Sequence, residues 1–241
     1  MSLRARVVPV HSVDDAQLRA LWALFAEHYE DVDEATFVAD FREKDDVILL
    51  DDGAPQGFST LREVRVRVDG RTHVGMFSGD TVVARPYWGT RVLGRAFVAH
   101  LAKRRLRVPT LDYWWILISK GYKTYLLMAN NFPEHWPRHE APTPPQARVV
   151  MDAFARSLFG DAWRPERGVV RWTTPRGRLR PGIADVTPEL AASRPRVAFF
   201  ERSNPAWAEG DELVCLARMS LGLPLSYGWK ALRGAVAGGR P

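Results

Sequence analysis

Apolar positions recur along this chain with two periods. Leu18, Leu21, Trp22, Phe25 and Tyr29 follow a helical spacing, and Ser12 with Asp15 three residues on reads as a capping box at the start of that helix. A second helix is expected over 34–44, with Phe37, Val38 and Phe41 inward. Val47 to Leu50 read as a short buried strand before an Asp-Gly-Pro turn. Residues 58–68 alternate, with Val64, Val66 and Val68 on one face, and Asp69-Gly70 supplies a two-residue hairpin turn into a return strand over 71–83. In that register cross-strand partners sum to 139, so Val66 faces His73, Val64 faces Gly75 and Ser59 faces Asp80. A bulge at Gly75 or Gly79 would slip the pairing by one beyond it.

A bare turn, RPYWGTRVLGRA, then leads into a helix ending near Leu106, with Leu93, Phe97 and Leu101 on one face. The apolar run YWWILIS at 113–119 suits a central strand covered on both sides. Residues 122–130 read as a short helix, and 132–145 as a proline-rich loop. A helix over 146–159 should pack through Val149, Val150, Phe154 and Leu158. The stretch 164–194, rich in Arg, Pro and Gly, is poorly specified. Residues 197–201 and 212–219 read as the last two strands, and 225–236 as a terminal helix. Helices and strands alternate around a mixed sheet, so the class is α/β or α+β, in one domain over 1–241.

Composition changes this picture little. Hydrophobic residues make up 46% and charged residues 26% of 241 positions. No apolar run is long enough to span a membrane, and the N-terminus lacks a leader pattern, so a cytoplasmic protein is expected. The single cysteine, Cys215, excludes an internal disulfide and reads as an inert buried thiol. The net charge of +6 comes mainly from scattered arginines. Without an RNP, zinc-knuckle or helix-turn-helix pattern, we favour biased composition over nucleic-acid binding. His135 and His139 are four apart, but Pro137 breaks the helix that would align them, so no metal is expected.

The chemistry concentrates in the bare turn. Arg91-x-x-Gly94-x-Ala96 opens a helix at the end of a strand, where unpaired N–H groups and small residues let an anion approach the backbone. Tight packing explains the same residues. The motif and the order of elements resemble the GNAT acyltransferase superfamily, whose cofactor motif is Gln/Arg-x-x-Gly-x-Gly/Ala. The resemblance covers about 5–132 well and 195–220 loosely, leaving 133–194 as an insertion and 221–241 as a tail. It implies a central, mostly antiparallel sheet flanked by helices. It also implies a pyrophosphate cradle at Arg91, Val92, Leu93, Gly94, Arg95 and Ala96, with acyl-CoA or acyl carrier protein as donor and a small-molecule or peptide amine as acceptor.

Two departures stand out. Pro86 lies five residues before Arg91 rather than three. The helix that often carries a thiolate-protonating tyrosine has Leu127 at that position, leaving Tyr125 or Tyr122 to substitute. Candidate bases are Asp80, His73, Glu63 and Asp112, with Asp80 best placed beside the expected bulge; a solvated or turn-capping carboxylate is the plain alternative. Trp88, Trp114 and Trp136 could wall an acyl chain or an aromatic acceptor, whereas Trp115 reads as core. A GNAT-fold scaffold without catalysis is the competing function.

Overall fold

The computed structural model describes residues 2–220, so the expected helix over 225–236 lies outside the described residues. In chain order the elements are β1 (Arg4–Pro9), α1 (Asp15–Ala26), β2 (Tyr29–Glu30), α2 (Glu34–Arg42), β3 (Asp46–Asp51), β4 (Pro55–Val68) and β5 (Arg71–Val83). They continue with α3 (Val92–Leu106), β6 (Asp112–Ser119), α4 (Tyr122–Ala129), β7 (His135–Trp136), α5 (Pro145–Phe159), β8 (Trp163–Arg164), β9 (Val169–Val170) and β10 (Arg178–Leu179). The last are α6 (Pro188–Ser193), α7 (Pro195–Ser203) and β11 (Glu212–Arg218). One mixed sheet runs β1-β3-β4-β5-β6-β11-β9-β8, with β7 added against β11, and β10 pairs with β2 in a separate ribbon. Only β5 and β6 pair in parallel among the described strands; the other ladders are antiparallel.

The hairpin forms as the Asp69-Gly70 signal requires. Asp69 (φ 47°) and Gly70 (φ 76°) both take positive φ, matching the twist of the flanking strands. Val66 pairs with His73, Val64 with Gly75 and Leu61 with Ser78, all on the straight register. Ser59 then pairs with Thr81 rather than Asp80. The slip falls at Gly79, so Gly79 and Asp80 together oppose Thr60. The backbone is close-packed there: a Cβ on Gly79 would lie 2.6 Å from Thr60 Oγ1.

Alternation along the strands divides the core between two faces. Met76, Leu117 and Cys215 point toward α3, α4 and α7, where Phe97, Leu101, Met128 and Phe200 meet them. Phe77, Ile116 and Val214 point toward α5. Beside α5 on that side, α1 and α2 bury Leu21, Phe25, Phe37 and Phe41 over the β3–β5 end.

Four local expectations are corrected. The N-cap of α1 is Asp14, whose carboxylate accepts from Gln17 N at 2.8 Å; Ser12 Oγ instead donates to the Pro9 carbonyl. Tyr29 falls beyond α1, in β2. The inner face of α5 carries Ala147, Val150, Met151, Phe154, Ala155 and Phe159, while Val149 is 49% exposed and Leu158 is partly buried. The segment 197–201 is helical, not a strand. Pro195 starts α7 with its preset φ, and Val197 and Phe200, three apart, are the buried positions. The final strand pair is therefore a single strand, β11, against β6.

Candidate active site

The parallel ladder between β5 and β6 ends at Ser78 opposite Leu117. Beyond it β5 runs on to Val83 with no partner on that side, so the sheet opens where the bulge lies. Two cavities meet at this opening. Thr81, Val83, Trp88, Lys123 and Thr124 line both.

The first, about 690 Å³, lies on the α3–α4 side. Arg91 is the N-cap of α3, and no side chain caps this end. The first-turn N–H groups of a helix have no intrahelical partner and carry partial positive charge. Leu93, Gly94, Arg95 and the loop residues Gly89 and Thr90 line the cavity around that end. Arg91, Arg95 and Lys123 are its cations, and no carboxylate appears on its wall among the described residues. Of the six residues expected in the cradle, Arg91, Leu93, Gly94 and Arg95 reach the wall. Val92 does not, and Ala96 packs on the core beneath.

The longer loop before the motif is folded, not loose. Residues Arg85–Tyr87 form a 3-10 turn. Tyr87 donates to Asp52, and Trp88 Nε1 donates to the Val83 carbonyl at 2.7 Å. The Lys123 ammonium stands 3.8 Å from the Trp88 ring centroid, and the Arg85 guanidinium 5.4 Å from it. Burial, followed by the charge of Arg85, lowers the Lys123 pKa.

The second cavity, about 530 Å³, lies on the other side, between α1–α2 and α5. Asp80 stands on its wall, half-buried. Burial first, then the negative charge of Asp40, raises its pKa from 3.8 to about 7, against the opposing pull of Lys120 and Lys44. The neighbouring carboxylates are committed: Asp40 to Lys44 at 2.5 Å, Glu43 to Arg62 at 3.3 Å, and Glu212 to Lys120 at 3.7 Å. Asp80 makes no hydrogen bond or ion pair among the described residues. Burial also raises the Tyr29 pKa, and the charges of Asp80 and Glu212 add to the rise. His28 holds Nδ1 2.9 Å from the Leu24 carbonyl, and its buried Nε2 has no partner among the described residues.

The other candidates fall elsewhere. Tyr125 is buried under α7, its ring tilted against Phe200 at 5.9 Å between centroids, with its hydroxyl donating to the Pro137 carbonyl at 3.3 Å; it lines neither cavity. Leu127, two residues on, lines the first cavity instead, and Tyr122 packs against the core. Trp114 and Trp136 belong to the core under α5, their ring centroids 6.4 Å apart, and only Trp88 of the three tryptophans reaches a cavity. His73 accepts from Trp114 Nε1 at 3.1 Å, and burial lowers its pKa. Glu63 pairs with Arg104 at 3.0 Å, and Asp112 with Arg218 at 3.1 Å. His135 turns inward, with Nδ1 2.6 Å from the Phe132 carbonyl, while His139 faces Glu140. Burial pushes the Cys215 thiol up. No helix among the described residues is long and apolar enough to cross a membrane.

Lys123, Tyr29 and His28 are the residues that sequence reasoning missed. Their signal is the fold itself, since β2, α1 and α4 meet the β5 bulge only in three dimensions.

No family model and no curated protein sequence matches the chain. Among solved structures it is similar to a probable N-acyltransferase from Enterococcus faecalis V583, at 12% identity and a TM-score of 0.42 over 54% of this chain. The chain spans about a third of that protein's length, 32%. It is also similar to a chain of the NatC complex bound to Gag peptide and CoA, at 12% identity and a TM-score of 0.41, covering 56% of this chain and 86% of that one. A third is the aminoglycoside acetyltransferase AAC(6')-Iy with a bisubstrate analogue, at 12% and 0.41, covering 54% and 89%. The likeness reaches over about half of the chain and does not extend to a ligand or a reaction.

Proposed function

We propose that this protein is an N-acyltransferase that moves an acyl group from acyl-CoA to an amine. The observation that carries the reading is the pair of cavities joined through the opened sheet. One is cationic and built on an uncapped helix N-terminus; the other holds an unpartnered carboxylate. The diphosphate of CoA fits the first, where α3 N–H groups and the Arg91 guanidinium face solvent. Acyl carrier protein has no feature in its favour.

In this reading the thioester lies in the gap beyond Ser78, and unpaired backbone N–H groups of β5 polarise its carbonyl. Asp80, poised near pH 7, takes a proton from the acceptor ammonium so that the free amine attacks the thioester carbon. The tetrahedral adduct loses the second proton of its nitrogen to solvent and collapses by breaking its C–S bond. Lys123, on the wall of both cavities, gives a proton to the departing thiolate. Tyr87 cannot serve there because its hydroxyl is held by Asp52.

Calorimetric titration of CoA tests the donor half. Charge-assisted hydrogen bonds are worth roughly 1.5–3 kcal/mol, so Arg91→Ala should weaken binding by about one to two orders of magnitude with the melting temperature nearly unchanged. Equal affinities, or no CoA binding by the wild type, would leave a folded shell with another purpose.

A further inference from the structure

The second cavity has a composition that selects among amines. Two groups of rings face it. On the α1–α2 side Phe25 stacks on Tyr29 with centroids 4.4 Å apart, and Phe37 lies 5.0 Å from Phe25. On the α5 side Phe77 meets Phe159 edge-on at 5.5 Å, and Phe159 meets Trp172 at 6.2 Å.

Charge is the second constraint. Asp40, Glu43 and Glu212 are each neutralised by a cation on the same wall, and Glu212 also accepts from Trp172 Nε1 at 3.1 Å. Asp33 is used as the N-cap of α2, and Asp31 pairs with Arg178 at 2.9 Å. Asp33 has no cation beside it but is exposed and taken up by the α2 N-terminus, which leaves Asp80 as the one carboxylate of this wall, among the described residues, with neither a counter-ion nor a cap. A ligand with several positive charges would find only that anion uncommitted. The carboxylate of an α-amino acid, one carbon from its ammonium, would be brought against Asp80 as a like charge. The two cations of this wall that stand outside ion pairs are each held over a ring, Arg176 3.9 Å over Trp172 and Lys123 3.8 Å over Trp88.

Resting on the acyltransferase reading, we propose that the acceptor is a singly charged primary amine on an apolar, ring-sized body, with its ammonium against Asp80 and its body between the two groups of rings. Ammonium and aromatic faces attract, and a ring between rings buries its area without unsatisfied polar atoms. The volume of about 530 Å³ is in the range of small-ligand sites.

The test is direct binding, independent of turnover. Phenethylamine, phenylalanine and spermidine are titrated into the full chain at pH 8 without CoA, and CoA is titrated separately. Phenethylamine should bind at least tenfold more tightly than either of the others. Asp80→Asn should lose at least tenfold, and Trp172→Leu several-fold, with melting temperatures recorded for both variants. Spermidine or phenylalanine binding as tightly as phenethylamine would overturn the proposal, as would no phenethylamine binding or an unaffected Asp80→Asn variant. CoA binding together with any of these results overturns the amine class alone. Selective phenethylamine binding without CoA binding supports the amine site and removes the transferase reading.

Discussion

Asp80→Asn separates the electrostatics of the site from its chemistry. The side chain is half-buried, faces Asp40 and Glu212 as like charges, and faces Lys44 and Lys120 as opposite ones. Its pKa rises from 3.8 to about 7 on folding. Between those values the folded protein holds a proton that the unfolded chain has released. The stability this group contributes is therefore fully present below about pH 4 and is lost as pH rises through about 7. At about 1.36 kcal/mol per pH unit, the loss between pH 5 and pH 8 is at most about 2.7 kcal/mol. Because the residue is half-buried on a cavity wall, we expect about 1–2 kcal/mol. Asparagine keeps the shape and cannot ionise, so the variant should gain stability relative to wild type by that amount on going from pH 5 to pH 8. Urea unfolding of both proteins at the two pH values measures it, and the other titrating groups cancel in the difference. A variant-minus-wild-type difference that is the same at both pH values, or that falls toward pH 8, would refute the assignment of Asp80 as a carboxyl held neutral by its surroundings.

Three further outcomes are expected. Acyl transfer by the wild type should rise about tenfold per pH unit below about 7 and level off above it, because the base must be ionised; Asp80→Asn should lower kcat by about 10²–10⁴-fold and flatten that limb. Lys123→Ala should weaken CoA binding about tenfold by calorimetry, since it removes one of three cations from a wall that, among the described residues, has no carboxylate. Gly75→Ala should destabilise the fold by about 1–3 kcal/mol in urea unfolding, because the new methyl would sit 2.2 Å from Ile116 Cδ1 and 2.8 Å from the Phe154 ring.

What could be read from the sequence was what local chemistry decides. Asp69-Gly70 fixed a turn that only residues tolerant of positive φ accept, and that turn set the eight cross-strand pairs from Val68–Arg71 to Leu61–Ser78; the slip beyond them falls at Gly79, one of the two glycines at which the sequence allowed it. The Arg91–Ala96 spacing located the start of α3 as small residues where a strand hands over to a helix. Helix phase was harder. In YLLM of α4 every residue is apolar, so nothing local says that Tyr125 and Met128 face the core while Leu127 faces a cavity. The run VAFFE of α7 has the apolar density of a strand, and only Pro195 before it marks a helix start. The constellation around Asp80 was beyond reach because its members come from β2, α2, β11 and the segments just after α2 and β6. Their proximity follows from strand order, which no local pattern encodes.

The two halves of the opened sheet are assembled from different parts of the chain. Every residue lining the cationic cavity lies between 81 and 131. The aromatic cavity draws on 25–62 and on 158–184 as well, and its outer wall is a strap from Trp172 to Ala184. That strap is tied to β2 by the β10 pairing and by Arg178 on Glu30, and to the end of β6 by Lys120, which donates to the Arg176 carbonyl. Mutation can therefore reshape what the strap encloses while the stretch 81–131 stays as it is. Relatives of this chain can be expected to share one half and to diverge in the other, as a lock keeps its case when its pins are recut.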